Sequence, residues 1–267
     1  MKIVFLDSYT VHPEEINLDD FKVFGEFVHY DRTVPSEVIE RAQNAEILLT
    51  NKVVLDKKIM SQLPKLKYVG VTATGFNVVD IKAATELGIT VTNVRNYSSN
   101  SVAQQVFAMI LSFANRLSEH SSFESWASQP DFCYYNHSLS ELAGKTIGLI
   151  GFGNIAQKVA QIALAFDMEV LIYKRTPLDS PLEGITEVDL DSLLMSSDYI
   201  SLHCPLTADN EKFMDASAYK KMKNSAILIN TARGGLINES DLSEAPNSSE
   251  IAGAYLDVLA VEPPAKD

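Results

Sequence analysis

Short apolar runs alternate with amphipathic stretches along almost the whole chain of 267 residues. Short apolar runs predict buried strands, whereas apolar residues at helical spacing predict helices that pack on a sheet. Regular alternation of the two is typical of βα units, which build parallel sheets covered by helices. The sequence therefore predicts an α/β fold, and its length suits two domains of about 150 residues each.

A first series of βα units ends near residue 98. Its predicted strands are 3–6, 23–30, 46–50, 68–72 and 89–91, and its predicted helices include 35–44 and 80–87. Gly88 stands directly after the second of these helices, where glycine commonly ends a helix. We therefore predict a small doubly wound domain over residues 1–98.

A second series follows a longer amphipathic helix, predicted over 98–117, and an irregular aromatic segment, 119–141. The helix is a natural bridge between two domains. Predicted strands of the second series are 145–150, 170–173, 199–202, 226–229 and 252–257. Pro246 is predicted to end the helix after Glu239 early, because proline removes a helical hydrogen bond.

One strand-turn-helix segment carries a dinucleotide-binding fingerprint. Its residues are Gly151, Phe152, Gly153, Asn154, Ile155 and Ala156. The first glycine permits the tight turn, the second lets the backbone approach a pyrophosphate, and Ala156 lets the helix pack closely on the strand. Alone the pattern is weak, but between a strand and a helix, whose N-terminus attracts anions, it predicts a dinucleotide site.

The end of the next predicted strand indicates which dinucleotide is bound. An acidic residue normally stands about 20 residues beyond the fingerprint and holds the adenosine ribose, whereas this sequence has Lys174 and Arg175. Both cations can pair with the 2′-phosphate that distinguishes NADP from NAD. We expect NADP to be favoured over NAD. In the alternative, both are solvated surface residues and NAD binds without its acidic partner.

Composition argues against several other functions. The 22 lysines and arginines are outnumbered by 35 aspartates and glutamates, so no broad basic surface is available for nucleic acid. No apolar run approaches the length of a membrane span. Cys133 and Cys204 lie far apart and without metal-ligand spacing, which argues against a disulfide framework or a metal site and fits a reducing, cytoplasmic setting.

Further segments stand in an order specific to one family. These segments are 72–80, 101–104, 203–207, 230–234 and 257–263. Together with the fingerprint, they resemble the D-isomer-specific 2-hydroxyacid dehydrogenases over essentially the whole chain. Segments 126–134 and 142–145 most resemble the hydroxypyruvate reductase (glycerate dehydrogenase) branch of that family.

The resemblance implies a fold and a reaction. The implied fold is a flavodoxin-like substrate domain over 1–98 and a Rossmann dinucleotide-binding domain over 99–267, with the substrate cleft between them. The implied reaction transfers hydride between NAD(P)H and a small 2-oxo acid such as hydroxypyruvate or glyoxylate, giving the D-2-hydroxy acid. We expect a homodimer. The aromatic segment 119–141 is either an arm over the partner subunit or an excursion that covers its own core.

The resemblance also assigns substrate contacts. Arg233 would grip the carboxylate and carbonyl with its forked guanidinium, and Glu262 would pair with a catalytic histidine and raise its pKa. Residues of the first domain expected near the substrate are Asn51, Lys52, Ala73, Thr74 and Gly75.

Cofactor contacts follow in the same way. Asp257 would accept a hydrogen bond from the nicotinamide carboxamide and so orient the ring for hydride transfer. Other residues expected to line the cofactor, besides the fingerprint and the two cations, are Cys204, Pro205, Thr207, Thr231 and Ala232.

The family's acid/base histidine has no counterpart within residues 1–267. In the family it lies beyond the glutamate and is followed by a helix that completes the first domain. The histidines here are His12, His29, His120, His137 and His203. Loss of a positioned general acid costs about 10²- to 10⁴-fold in rate, so we expect this chain, as written, to be a poor catalyst.

The absent histidine leaves a second hypothesis open. The chain could instead be a non-catalytic dinucleotide-binding sensor or a partner-binding module. Retention of Arg233, Glu262 and Asp257 favours the enzyme, because a binding role alone gives no reason to keep an arginine and a glutamate in those positions.

Overall fold

Two parallel β-sheets contain the strands of the protein in this computed structural model, which describes residues 1–11, 14–131, 133–178, 180 and 182–264. His12 and Phe132, which belong to the histidine set and to one family-like segment, lie outside these residues. The chain divides into two compact units, residues 1–98 and 99–267.

The first unit is built on a five-stranded sheet. Its strands are β1 (Lys2–Phe5), β2 (Glu26–His29), β3 (Ile47–Thr50), β4 (Tyr68–Val71) and β5 (Thr90–Asn93). They pair in the order β2-β1-β3-β4-β5, and every pair is parallel. This 2-1-3-4-5 order is that of flavodoxin-like folds.

Alternating side chains of these strands build two cores. Val4 and Leu48 pack on one face with the helices α1 (Val38–Ala42), α2 (Lys57–Met60) and α3 (Ile81–Glu86). On the other face, Ile3 and Phe5 pack against Leu18.

The second unit holds a six-stranded sheet. Its strands are β6 (Thr146–Ile150), β7 (Glu169–Tyr173), β8 (Ile185–Glu187), β9 (Tyr199–Leu202), β10 (Ile227–Asn230) and β11 (Gly253–Leu256). The order is β11-β10-β9-β6-β7-β8, again entirely parallel. This is the Rossmann order, so the predicted fold class is confirmed.

Helices cover both faces of this sheet. Its helices are α4 (Ser99–Asn115), α5 (Phe123–Ala127), α6 (Asn154–Ala165), α7 (Leu190–Ser196), α8 (Ala216–Tyr219) and α9 (Glu239–Glu244). Leu149 and Ile229 point to the face covered by α4 and α6. Ile150 and Leu202 point to the opposite face, covered by α7, α8 and α9. Among the described residues, no helix is long and apolar enough to cross a membrane.

Local departures from the predicted elements have local causes. The strand predicted over 23–30 begins only at Glu26, because Leu18–Phe24 form a 3-10 helix capped by the Asn17 side chain. The helix predicted over 35–44 begins as a 3-10 turn, Pro35–Glu37, before α1. Strand β8 was not predicted, since it has three residues and two of them are exposed.

Candidate active site

The strand order of the second sheet reverses between β6 and β9. The chain runs outward from β6 through β7 to β8, and then returns to β9 on the other side and continues to β10 and β11. At such a reversal the loops after the two central strands diverge and leave a crevice where open α/β sheets bind ligands. Here those loops are the fingerprint turn, 151–153, and the segment 203–207.

Two glycines of the fingerprint turn have different reasons to be glycine. Gly151 has φ +93°, and a Cβ there would lie 2.7 Å from the backbone of His203 and Cys204. A Cβ at Gly153 would meet nothing within 4 Å. The fold itself therefore requires Gly151, whereas the space beside Gly153 is open to a bound group.

The N-terminus of α6, the helix after this turn, is suited to bind an anion. Gly153 caps α6 without a side-chain hydrogen bond, and the first turn of α6 contains no acidic residue. Its positive dipole end is therefore not compensated by a carboxylate of its own turn. Ala156 is fully buried, so the helix packs closely on the sheet as predicted. These features fit the pyrophosphate of a dinucleotide.

Lys174 and Arg175 directly follow β7, the neighbour of β6. Lys174 is half-buried and Arg175 is exposed. Among the described residues, neither cation forms an ion pair. Their charges are therefore available to a ligand at this end of the crevice.

The segment 203–207 is held by Asn210, a residue that the sequence reasoning missed. The Asn210 Nδ2 donates to the Pro205 carbonyl at 2.8 Å, and its Oδ1 accepts from the Thr207 N–H at 2.7 Å. Thr207 and Asn210 form a capping box, a spacing of three that could have identified the brace. Burial raises the pKa of the neighbouring Cys204 thiol.

Two buried polar atoms beside the crevice have no hydrogen-bond partner among the residues that the structure describes. They are the His203 Nε2 and the Thr231 Oγ1. Buried polar groups normally form hydrogen bonds, so this pair fits a site completed by a bound molecule. Burial lowers the pKa of His203 to about 4, so its imidazole is neutral near pH 7 and cannot serve there as a proton donor of imidazolium type.

The turn after β10 presents Arg233. Buried Asn230 fixes this turn, because its Nδ2 donates to the Arg233 carbonyl at 2.9 Å and its Oδ1 accepts from the Ala232 N–H at 3.0 Å. The Arg233 side chain is exposed, with Nη1 donating to the Ala232 carbonyl. The guanidinium is therefore carried on a rigid turn at the carboxyl edge of the sheet.

The segment with Glu262 packs directly on the Arg233 turn. A Cβ at Gly234 would lie 1.9 Å from the backbone carbon of Leu259, so only glycine allows this approach. The Glu262 Oε1 accepts from the Leu259 N–H at 2.9 Å, which folds the segment back on itself. Asp257 is exposed at the end of β11, where its N–H donates to the Asn230 carbonyl at 2.9 Å.

In the first unit, a buried carboxylate organises the loop that contains Asn51 and Lys52. Asp7 accepts from the N–H groups of Asn51 at 2.9 Å, Lys52 at 2.6 Å and Val53 at 3.1 Å. The Asn51 Nδ2 donates to the Thr72 carbonyl at 3.1 Å, which ties this loop to the one after β4. The Lys52 side chain is exposed and lines a cavity of about 430 Å³.

The loop 73–75 has its carbonyls turned toward the segment after β5. The carbonyl of Ala73 accepts from the Val94 N–H at 3.2 Å, and that of Thr74 accepts from the Asn93 Nδ2 at 2.8 Å. Within the described part of the chain, the N–H groups of Thr74 and Gly75 donate to no acceptor. They remain available to bind an anion.

Comparison with known proteins places this arrangement in a family. Residues 107–267 match the D-isomer specific 2-hydroxyacid dehydrogenase, NAD binding domain. The hydroxypyruvate reductase of Blautia hydrogenotrophica is 40% identical, with 98% of this chain and 84% of that protein covered. The glycerate dehydrogenase of Methylorubrum extorquens is also 40% identical, with 98% and 82% covered.

A solved structure agrees. An acyclic imino acid reductase in complex with NADPH and D-Arg has a TM-score of 0.85 and 32% identity, with 98% of this chain and 84% of that chain covered. The chain belongs to the D-isomer specific 2-hydroxyacid dehydrogenase family. The predicted resemblance is confirmed, the protein is a nicotinamide-dependent oxidoreductase by this kinship, and a purely non-catalytic role is not favoured.

Proposed function

We propose that the protein reduces a small 2-oxo acid, hydroxypyruvate or glyoxylate, to the D-2-hydroxy acid with a nicotinamide dinucleotide. One observation carries this proposal. The fingerprint turn, the 203–207 segment, Arg233 and Asp257 follow four neighbouring strands and so stand along one edge of a single sheet. The names of the two relatives, hydroxypyruvate reductase and glycerate dehydrogenase, support the substrate class.

Arg233 is the group best suited to the substrate in this unit. Its guanidinium can hold a carboxylate with two parallel hydrogen bonds and can stabilise the negative charge that develops on the carbonyl oxygen during reduction. It cannot supply the proton, because a guanidinium group does not release a proton in proteins. The bound nicotinamide supplies the hydride, and the exposed carboxylate of Asp257 can accept from its carboxamide.

Protonation of the reduced oxygen requires another group. His203 is unsuited, since burial lowers its pKa to about 4. The family resemblance assigns Glu262 to pairing with a histidine acid. The packing of its segment against the Arg233 turn supports this assignment. We therefore propose Glu262 as the partner of that acid.

The first unit offers further carboxylate-binding groups. The N–H groups of Thr74 and Gly75 can donate to a carboxylate, and Lys52 adds a positive charge on an exposed side chain. Asn51 is committed to Thr72, so we propose that it positions the 72–75 loop.

We propose NADP as the preferred cofactor, because Lys174 and Arg175 stand at the end of β7 and form no ion pair among the described residues. The NADPH bound in the imino acid reductase structure supports this choice. Fluorescence titration with NADPH and NADH should give a dissociation constant at least about tenfold lower for NADPH. Equal affinities, or tighter NADH binding, would contradict the preference.

Activity is tested by following NADPH oxidation with hydroxypyruvate, glyoxylate and pyruvate in turn. We expect hydroxypyruvate or glyoxylate to give the highest kcat/KM. Because the family's acid histidine has no counterpart within residues 1–267, turnover should be slow. Cofactor binding with turnover of every 2-oxo acid no higher than that of an Arg233→Gln variant would refute the reductase proposal and restore the binding-module hypothesis.

We further propose a homodimer in a reducing, cytoplasmic setting. In the 119–141 segment, Trp126 and Tyr134 pack edge to face, whereas Phe123 is 79% and Tyr135 is 77% exposed. Exposed aromatic side chains of this kind suit a protein interface. Cys133 and Cys204 are free thiols. A monomer in sedimentation equilibrium at assay concentrations would contradict the dimer.

A further inference from the structure

Four described residues have buried polar side-chain atoms without a hydrogen-bond partner, and three of them lie within or directly after the adjacent strands β9 and β10. These three are Ser201, His203 and Thr231. Ser201 lies within β9, opposite Leu149 and Ile229, whose side chains belong to the core under α4 and α6. It therefore faces that core.

His203 and Thr231 lie next to each other at the carboxyl ends of their strands. Leu202 pairs with Asn230, so the two residues that follow are neighbours across β9 and β10. The His203 N–H donates to the Ile150 carbonyl at 2.7 Å, which continues the ladder of β9 by one residue. Because side chains alternate along a strand, His203 shares the face of Ser201.

The position of this pair along the crevice indicates what it can bind. A dinucleotide whose pyrophosphate lies on the fingerprint turn after β6, and whose adenosine ribose lies at the end of β7, extends its other half over β9 and β10. A Cβ at Gly151 would lie 2.7 Å from the backbone of His203. The histidine is thus directly beside the turn that would carry the pyrophosphate.

We propose that His203 is a positioning residue for the cofactor, and that its Nε2 and the Thr231 hydroxyl bind the ribose hydroxyls on the nicotinamide side, directly or through one water. This inference rests on the proposed function. A ribose offers two hydroxyls that each donate and accept, which suits one alcohol and one imidazole nitrogen in either tautomer.

The electrostatics of the site agree with this role. Burial holds the pKa of His203 at about 4, so the ring adds no charge near pH 7. A cation here would repel the positive nicotinamide of the oxidised cofactor. A neutral donor or acceptor binds the ribose in both redox states.

Four variants test the pair. The readouts are the dissociation constants for NADPH and NADH and the melting temperature without cofactor. Thr231→Val removes the hydroxyl at constant shape, and His203→Leu removes the ring nitrogen. Each should weaken cofactor binding about three- to tenfold. Thr231→Ser restores the hydroxyl and should restore affinity. Should His203→Leu fold poorly, His203→Asn keeps a polar group and should bind more tightly than the leucine variant.

Ser201→Ala is the matched control, because it removes a partnerless hydroxyl from the same face but one step inside the strand. It should leave both dissociation constants unchanged. Among the described residues, the hydroxyls of Thr231 and Ser201 have no hydrogen-bond partner. Neither Thr231→Val nor Ser201→Ala should therefore lower the melting temperature of the free protein.

The outcomes separate the possible failures. If the parent protein binds neither cofactor, the proposed function fails. If the parent binds but Thr231→Val and His203→Leu keep its affinity, the positioning role is wrong while the proposed function stands. A lower melting temperature with unchanged affinity in both variants would show a structural role and would likewise overturn the inference.

Discussion

Both sheets reverse their strand order and form a crevice at the reversal, but the loops at the two crevices differ in the acidic side chains they contain. In the first unit the reversal lies between β1 and β3, and the backbone N–H groups of residues 51–53 point to the carboxylate of Asp7. In the second unit the reversal lies between β6 and β9, and no acidic side chain stands in the first turn of α6. The crevice of the first unit therefore contains the Asp7 carboxylate, whereas the N-terminus of α6 in the second unit can bind the anion of a ligand.

This difference shows how one topology gives two outcomes. The loops that follow parallel strands lie together at the carboxyl edge of the sheet. Their backbone N–H groups favour a negative charge there. Where a buried aspartate accepts hydrogen bonds from those groups, as Asp7 does, it holds the loop in one conformation. Where glycines leave the space open, as at Gly153, the same edge can take a dinucleotide.

The largest effect should come from Arg233, on the open crevice. Arg233→Gln removes the charged fork, so kcat/KM for hydroxypyruvate should fall about 10²- to 10³-fold. Cofactor affinity and melting temperature should stay unchanged, because the side chain is exposed and its hydrogen bond within the described part of the chain is to the neighbouring Ala232 carbonyl. Arg233→Lys keeps the charge and should recover a minor part of the loss. Full activity in either variant would show that Arg233 does not take part in the reaction.

The next largest effect should come from removal of the buried Asp7 carboxylate in the first unit. In the parent protein Asp7 Oδ2 accepts from all three N–H groups and Oδ1 accepts from that of Asn51 alone. Asp7→Asn removes the negative charge and turns an amide N–H₂ toward the Asn51 N–H. The free energy of unfolding should fall by about 2 kcal/mol, measured by urea denaturation. Cofactor affinity should not change. Asp19→Asn, at an exposed carboxylate of the same unit, is the control and should have no measurable effect on stability.

A smaller and more selective effect is expected at the two glycines of the fingerprint turn. Gly153→Ala should leave the melting temperature unchanged, because its Cβ meets no atom of the protein within 4 Å. Cofactor binding should weaken by about tenfold, since the methyl group takes the space of the pyrophosphate.

Gly151→Ala is the contrasting variant. Its φ of +93° and the 2.7 Å approach of the 203–204 backbone make any side chain strained. It should therefore lower the melting temperature by itself. Equal stability of the two variants would contradict the distinction between them.

An effect no larger than that at Gly153 is expected at Lys174 and Arg175, whose charges are partly screened by solvent. The double variant Lys174→Asp, Arg175→Ala removes the phosphate partners and supplies a ribose acceptor. The ratio of NADPH to NADH dissociation constants should shift toward NADH by about tenfold. Lys220→Ala, Lys221→Ala gives a control pair on the same unit. An unshifted ratio would show that both cations are solvated surface residues.

Sequence alone determined the features that depend on neighbouring residues. Apolar periodicity predicted α4 to within two residues at either end and most strands, and the fingerprint predicted a strand-turn-helix at Gly151–Ala156. Pro246 correctly predicted an early end for α9, which stops at Glu244. Each signal acts within a few residues, because helix periodicity, turn conformation and capping are local properties of the chain.

Tertiary structure decided the features that join distant segments. Asp7 accepts hydrogen bonds from residues 44 to 46 positions further along the chain. Gly234 leaves room for the backbone of Leu259, which lies 25 residues further along. His203 and Thr231 become neighbours only when β9 pairs with β10. No periodicity or motif marks these contacts, since they depend on which strands lie side by side, and that order is set by packing of the whole sheet.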